Sequence, residues 1–506
     1  MRERLEPLLL VVAVGAAVAI GAKRLKIPYN VALVIVGLLL VLANVLPNTP
    51  LDPSVVLELF VPVLVFEGAL FADADGLRRS ARPILALAVP GVALSLLGTA
   101  LVATFVLKLP FPIALLLGAL LSITDTVSVL LAFRAVKVPH RLAAIMEGES
   151  LFNDGTALVL VSLAATVVST GVFDSVTTLR LLGIAIVLGT LVGLAIGVIG
   201  TAILRSTPDH LTAILASIVL VFATSVLAER VHASAIIAVV VSGLFVGKAA
   251  RRLLDPSRVL ALLGFWETAG FGINVLLFLL VGMQINARTL VEEADSILLS
   301  LLALHAGRAV AVYGCFGVLR ALGKDQVPLR WQHVMVAGNI KGALSMAAVL
   351  ALPAGFVLRD RLVAIVFGVT FVTLVVQALP FAWLLRVLRV SLSAGTESIA
   401  AARATLITAR RGQTELDELM SAGLVSRKQH AEWRAALQRQ LIDAERELRV
   451  RTQGTRDHGV QVSVLTAQKA ALLDAVRKGL LGAEAAEAAV SDLDRRLMAL
   501  EVTEDP

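Results

Sequence analysis

The stretch I-A-L-L-L-G-A-L-L-S-I-T-D-T-V-S-V-L-L-A-F, residues 113–133, is apolar for most of its length, yet residues 122–127 are mostly polar. Roughly 20 apolar residues carry a helix across the hydrocarbon core, so the run predicts a membrane span. Ser, Thr and Asp side chains compete with the backbone for its hydrogen bonds, so the polar interruption predicts that the helix unwinds there. A break at membrane depth survives only where its freed backbone groups line protein or a water-filled cavity. Secondary transporters use such half-helices to turn helix ends toward an ion. A second apolar run, 331–353, carries a matching interruption, G-N-I-K-G at 338–342, in which two glycines and an asparagine surround Lys341. Two broken helices that cross would point opposite dipole ends at each other. Asp125 beside one and Lys341 beside the other would neutralise them.

The rest of the chain suits that reading. Of 506 residues, 58% are hydrophobic and 16% charged, and the mean hydropathy is +0.88, far outside the range of soluble domains. The expectation is an all-α polytopic membrane protein whose surroundings are the lipid bilayer. A single cysteine, Cys315, excludes a disulfide framework and a cysteine-ligated metal or cluster. No phosphate-binding glycine loop and no metal-spaced histidines occur, so neither an enzyme, a cofactor nor a nucleic-acid partner is expected. Apolar runs near 6–22, 27–47, 52–71, 83–107, 111–133, 142–169, 180–204, 210–228, 232–248, 259–284, 292–319, 331–353 and 362–386 predict about thirteen spans. The first of them is read as a retained helix, because no convincing small-residue cleavage site follows. Seventeen Lys or Arg fall in odd-numbered connections and five in even-numbered ones. That bias places the N-terminus outside and the C-terminus in the cytoplasm.

Residues 1–390 therefore read as the transmembrane domain. From 391 to 506, Ala, Leu, Glu, Arg and Gln dominate, with apolar residues at helical spacing. This part reads as a helical cytoplasmic tail with a regulatory or interaction role. Its 16 Lys+Arg against 17 Asp+Glu favour a self-packing module over a lipid-binding one.

Charges at bilayer depth cost at least ~2.5–3.5 kcal/mol each, so those present need a partner or a cavity. The spans hold Glu67, Asp125, Glu149, Asp154, Glu267, His305, Arg308, His333 and Lys341. Glu149 and Asp154 lie five residues apart, a divergence of roughly 140° around a helix, and cannot share a face. They are expected to have different jobs. Asn153 adds an amide beside Asp154, and Ser150, one turn earlier, adds a hydroxyl on its face. Such oxygens suit a hard alkali cation. Glu267 and Arg308 read as a pair inside the bundle, Asn274 as a hydrogen-bonding partner of a broken helix, and His305 and His333 as satisfied core or interface histidines.

F-E-G-A at 66–69, T-D-T-V at 124–127, G-E-S-L-F-N-D-G at 148–155, F-W-E with N-V-L-L-F-L-L-V-G across 265–282, G-N-I-K-G-A-L-S at 338–345 and V-V-Q-A-L at 375–379 occur in that order. Together they resemble the monovalent cation/proton antiporters of the NhaP and eukaryotic sodium/proton exchanger branch, over residues ~5–390. The resemblance implies inverted repeats, two crossed discontinuous helices, and a homodimer in which a core bundle moves against a dimerisation bundle. It also implies Na⁺ or a similar ion moving one way and H⁺ the other, in the service of pH homeostasis at the inner or plasma cell membrane.

Position by position, Asp154 is similar to the aspartate that binds ion and proton, and Asn153 to its neighbour in the Asn-Asp pair. Asp125 and Thr124 are similar to the unwound-helix site, Ser150 to a further ligand, and Glu67 to the acid that gates the approach. The resemblance places Na⁺ at Asp154, Asp125, Thr124 and Ser150. It pairs Glu149 with the cation of the other broken helix, here Lys341 where the family has arginine, while Arg308 resembles a further family arginine. The family commonly has proline after the Thr-Asp, where this chain has Thr126.

The expected cycle has one exchangeable charge. Asp154 holds a proton until Na⁺ or Li⁺ displaces it, and the loaded states alternate in the side they face. Neutral Asn153 in place of a second aspartate leaves one-for-one, electroneutral exchange. A K⁺/H⁺ antiporter is the alternative, since an oxygen ligand set alone does not fix ion size. A cation channel or a transport-dead sensor is more distant.

Overall fold

In the computed structural model, residues 2–25, 27–43, 53–171, 174–207, 209–284, 287–353, 355–391 and 394–452 are described, with fragments at 464–469, 471–472, 489–490, 492–493 and 496. All the described elements are helical. They are α1 (Arg2–Leu25), α2 (Tyr29–Leu42), α3 (Val61–Phe71), α4 (Ala74–Arg79), α5 (Ala81–Ala86), α6 (Val92–Val106), α7 (Phe111–Ser122), α8 (Thr126–Ala135), α9 (His140–Thr170), α10 (Ser175–Ser206) and α11 (His210–Arg230). Then follow α12 (Ala235–Leu253), α13 (Pro256–Gln284), α14 (Ala287–Glu292), α15 (Ala294–Ala321), α16 (Leu329–Ala337), α17 (Ala343–Leu350), α18 (Arg359–Val372), α19 (Ala378–Val387), α20 (Ala394–Ser421) and α21 (Arg427–Thr452). Wide π-helical turns at Val55–Phe60, Leu87–Gly91 and Thr373–Gln377 lead into α3, join α5 to α6, and join α18 to α19.

The chain divides into two units, Met1–Ser391 and Leu392–Pro506. In the first, each apolar run carries helix, broken at 123–125 and 339–342, and among the described residues eight helical segments are long and apolar enough to cross a membrane unaided. Large apolar side chains such as Phe105, Val176, Leu260 and Val318 stand exposed on the outside of this unit, as a lipid-facing surface requires. Buried Leu116, Leu117, Leu120 and Leu121 of α7 fill its centre. Two groups of helices pack side by side: α1–α3 with α10–α13, and α5–α9 with α15–α19. Within the second group one order of elements recurs, a long helix, a broken one and a long one. The recurrence marks a repeated unit.

Small residues set the closest approaches, as expected where lipid supplies no hydrophobic drive between helices. A Cβ on Gly98 of α6 would stand 2.9 Å from the Gly307 Cα of α15. That contact joins the first helices of the two triples, with the next residue, Arg308, buried beside it. Away from the apolar surface, Asp75 of α4 takes Lys248 Nζ at 2.5 Å and an Arg252 amine at 3.5 Å from the end of α12. Arg251 closes the last turn of α3 by donating to the Leu70 and Phe71 carbonyls at 2.8 and 3.1 Å.

In the second unit, α20 and α21 form a hairpin that turns at Gly423, whose φ of +72° is left-handed. Ala409, Leu416 and Ala444 are buried between the two helices. His430 Nε2 and Asp417 Oδ1 meet across the hairpin at 2.8 Å.

Candidate ion-binding site

The polar interruptions break both helices where expected: α7 stops at Ser122, and α8 starts after Asp125, whose carboxylate caps it by accepting from Val127 N–H. Likewise α16 stops at Ala337 and α17 starts after Gly342. The two breaks cross. Asp125 N–H donates to the Ile340 carbonyl at 2.8 Å, so one break satisfies a backbone group freed by the other. Glycine is required at 342, where any Cβ would come within 2.9 Å of Asp125 Cβ. Thr373, in the third π turn, accepts from Lys341 N–H at 3.1 Å.

Unwinding leaves carbonyls unpaired at the inner ends of α7 and α16, and each end is closed by side chains from elsewhere. Asn153 of α9 donates to the Ser122 carbonyl at 3.0 Å, and the Lys341 ammonium to the Ile123 carbonyl at 3.0 Å and Asn339 Oδ1 at 2.7 Å. At the end of α16, Gln377 donates to the Ala337 carbonyl and Arg308 Nε to the Met335 carbonyl at 3.2 Å. Lys341 and Arg308 thus put positive charge at the negative ends of half-helices. Lys341 does so at the end of α7 rather than in its own helix.

That placement corrects one expectation. Glu149 does not pair with Lys341. Its two oxygens take the two terminal amines of Arg308 at 2.8 and 2.9 Å, with 3% and 6% of the two side chains exposed. A guanidinium matches both carboxylate oxygens at once, which an ammonium cannot. The Gly98–Gly307 approach brings that fork to Glu149, while the Lys341 stem turns to the α7 carbonyls. Arg308 is therefore a principal member of the crossing, and Glu267 is not its partner.

The helical offset between Glu149 and Asp154 separates them as expected. On the Asp154 side, Thr124 Oγ1 and Ser150 Oγ lie 2.8 Å apart, and Asn153 Nδ2 reaches Thr124 Oγ1 at 3.2 Å. The Thr124 backbone N–H donates to the Asp154 carboxylate, and the charges of Asp125, Glu149 and Lys341 all act on it. Asp154 Oδ1 and Asn153 Oδ1 are buried without a hydrogen-bond partner. Buried polar atoms are rarely left that way. Both Asp125 oxygens are held, Oδ1 by Val127 N–H at 3.2 Å and Oδ2 by the Ser128 hydroxyl. Thr124, Asp125, Ser150, Asn153 and Asp154 therefore gather at the crossing, beside a narrow cleft lined in part by Met146, Glu147 and Gly338.

Glu67 and Asn274 sit elsewhere. Glu67 lies on α3 against α13, where a Cβ on Gly270 would stand 3.0 Å from its Cγ and Cδ. Asn274 is buried on α13 itself, which packs against α17. His305 Nδ1 meets the Leu301 carbonyl of its own helix at 2.9 Å, and His333 Nδ1 meets Tyr313 Oη at 2.6 Å.

The sequence reading passes over four contributors. Gln377 stands inside V-V-Q-A-L, where an amide in an apolar helix is itself a signal. Ser128 is one turn beyond Asp125 and Glu147 one turn before Ser150, both placed by helical spacing. Asn30, which donates to Ser128 Oγ from α2, has no local signal, because the contact spans 98 residues.

Residues 9–387 match the family described as sodium/hydrogen exchanger, transmembrane. The chain is 36% identical to the Na(+)/H(+) antiporter NhaS2 of Synechocystis sp. over 98% of its own length and 94% of that protein's. It is 31% identical to the Na(+)/H(+) antiporter NhaP of Pseudomonas aeruginosa over 66% of this chain and 81% of that one. Among solved structures, the sodium proton antiporter MjNhaP1 of Methanocaldococcus jannaschii at pH 8 shares its fold, with a TM-score of 0.65, 21% identity, and coverage of 76% of this chain and 98% of that one. With broken helices crossing at a buried Asn-Asp pair and a match over three-quarters of its length, this multi-pass membrane chain belongs to the transmembrane sodium/hydrogen exchanger family.

Proposed function

We propose that this protein exchanges Na⁺ for H⁺ across the membrane by alternating access, with Asp154 as the group that cation and proton occupy in turn. The observation that carries this reading is the pair of buried oxygens without a donor, Asp154 Oδ1 and Asn153 Oδ1, beside the hydroxyls of Thr124 and Ser150. A proton or a hard monovalent cation satisfies Asp154 Oδ1 equally well, and only one of them fits at a time. Li⁺ enters the same oxygen set. Asp125 faces the cation from the broken helix, and Glu67, away from the crossing, guards the approach.

Charge counting supports one-for-one exchange. Apart from Glu147 on the wall of the cleft, the crossing holds three carboxylates, Asp125, Glu149 and Asp154, against two cations, Arg308 and Lys341. One negative charge is left over, and one proton or one monovalent cation balances it. The two loaded forms then have equal charge, so a membrane potential does no work on the exchange. The protein acts as a homodimer in the cell membrane with its N-terminus outside. Its tail from 391 onward is cytoplasmic and regulatory.

Proteoliposomes with a pH-sensitive dye test this directly. Na⁺ added outside the vesicles draws protons out of their lumen in the wild type, and Asp154→Asn stops that movement while the protein still inserts and folds. Cation-driven proton movement that persists in Asp154→Asn overturns the assignment of the carrier. Turnover that follows an imposed potential overturns the stoichiometry. A response to K⁺ at the same concentrations as to Na⁺ overturns the choice of ion.

A further inference from the structure

We propose that Asn30 is a positioning residue for the ion site: through Ser128 it holds the Asp125 carboxylate in place and so ties cation affinity to the packing of α2 against α8. The proposal rests on the reading of Asp125 as part of the site.

Asn30 is wholly buried near the start of α2, a helix packed on α1 and α13, outside the group that contains both breaks. Its amide orientation is set locally. Oδ1 accepts from Val31 N–H at 3.0 Å, which leaves the amine to point at Ser128. That amine can only donate, so the Ser128 hydroxyl receives it with a lone pair and has its single proton free for Asp125 Oδ2. The direction of every bond in the relay follows from Asn30. With Val127 N–H on Oδ1, both carboxylate oxygens are engaged, and the Asp125 side chain has one orientation.

Without the amide donor, the Ser128 hydroxyl is free to rotate and the carboxylate loses its fixed partner. The helix α2 also meets the π turn that carries Thr373 and Gln377. A shift of α2 against the crossing would therefore be felt at both breaks. An amide that merely closed the first turn of α2 would contribute stability and nothing to ion affinity.

The test is the rise in unfolding temperature of the purified full-length protein as Na⁺ is titrated, which reads cation affinity without any transport step. Asn30→Ala and Ser128→Ala are each expected to raise the half-saturating Na⁺ concentration roughly tenfold, the size of effect seen when a partner that orients a metal ligand is lost. The double variant should match either single one, because one relay is cut twice. Ser128→Thr, which keeps the hydroxyl, should bind as the wild type does. If Asn30→Ala does not fold, Asn30→Leu keeps most of the volume, removes the donor without adding a charge and carries the same expectation. Half-saturation unchanged in the Asn30 variant, multiplicative losses in the double variant, or no Na⁺ response in the wild type would each overturn the proposal. Na⁺ binding that is intact while vesicles show no cation-driven proton movement would sink the antiport reading and leave this one standing.

Discussion

The two broken helices are alike in backbone and unlike in chemistry. In each, the inner end of the first half is closed by an amide from a neighbouring long helix, Asn153 onto Ser122 and Gln377 onto Ala337. The breaks share a hydrogen bond between Asp125 N–H and the Ile340 carbonyl. Beyond that the likeness ends. The break at 123–125 brings the Thr124 hydroxyl to Ser150 and Asn153 and turns the Asp125 carboxylate to Val127 N–H and the Ser128 hydroxyl, while the break at 338–342 directs Lys341 and Asn339 to the carbonyl of Ile123 and to each other. One break supplies oxygens, and the other stabilises the ends that hold them. A repeated unit can thus keep its geometry while its two copies carry different chemistry.

The largest expected effect tests whether the supporting half is needed at all. Arg308→Met leaves Glu149 charged, buried and unpaired, which costs about 3–5 kcal/mol, so little folded protein should be recovered from detergent-solubilised membranes. Arg308→Met combined with Glu149→Gln removes both charges and should regain most of that loss, because the penalty lies in the orphaned charge rather than in the absent attraction. Equal yields for the single and double variants would show that the pair is not what holds α9 and α15 together.

A smaller effect is expected where the breaks touch. Gly342→Ala places a methyl 2.9 Å from Asp125 Cβ, and overpacking of this kind costs about 1–3 kcal/mol. The unfolding temperature should fall and Na⁺ affinity should fall with it, since the displaced neighbour is a site residue. Affinity that survives the loss of stability would place Asp125 outside the site.

The two closing amides sharpen the comparison further. Removing either one leaves a carbonyl unsatisfied, at about 1–2 kcal/mol. Gln377→Ala should lower the unfolding temperature and leave the half-saturating Na⁺ concentration near that of the wild type. Asn153→Ala should change both, because its amide also carries the Oδ1 that stands beside Asp154. If the two variants behave alike, the breaks are chemically equivalent and the asymmetry described above is wrong.

What the sequence reveals divides along the same line. Both breaks are legible as polar interruptions of apolar runs, and the divergence of Glu149 from Asp154 follows from helical rotation alone. The partner of Glu149 is not legible that way. Two buried cations, Arg308 and Lys341, lie 159 and 192 residues away, and the choice depends on the depth at which Gly307 lets α15 approach α6. Asn30 escapes for a similar reason. Its partner is chosen by how α2 packs, and nothing near it in the chain marks it as polar for a purpose. Local chemistry reads from periodicity, whereas pairing between distant helices is set by close-packing that a linear pattern does not encode.

The smallest effect concerns ion pairs outside the crossing, and it measures how much the membrane interior matters. Asp75 has cations beside it, as Glu149 does, but half of its side chain is exposed, 52% against 3%. The hydrogen bond from Lys248, opposed by slight burial and helped by the charges of Lys248, Arg252 and Arg79, holds its carboxyl below the usual value of 3.8. A carboxyl held low in the folded state stabilises it above the unfolded value and loses that contribution as pH falls through the folded one. The contribution of Asp75 is therefore full at neutral pH and fades only below about pH 4. An exposed pair of this kind contributes less than ~1 kcal/mol and is screened by salt. Asp75→Asn should lower the unfolding temperature by a degree or two at most near pH 7, with the difference shrinking in 1 M salt and fading as pH falls through the lowered folded-state value. A loss as large as that of Arg308→Met would mean that the α4–α12 contact is sealed from water, and that exposure is not what separates the two ion pairs.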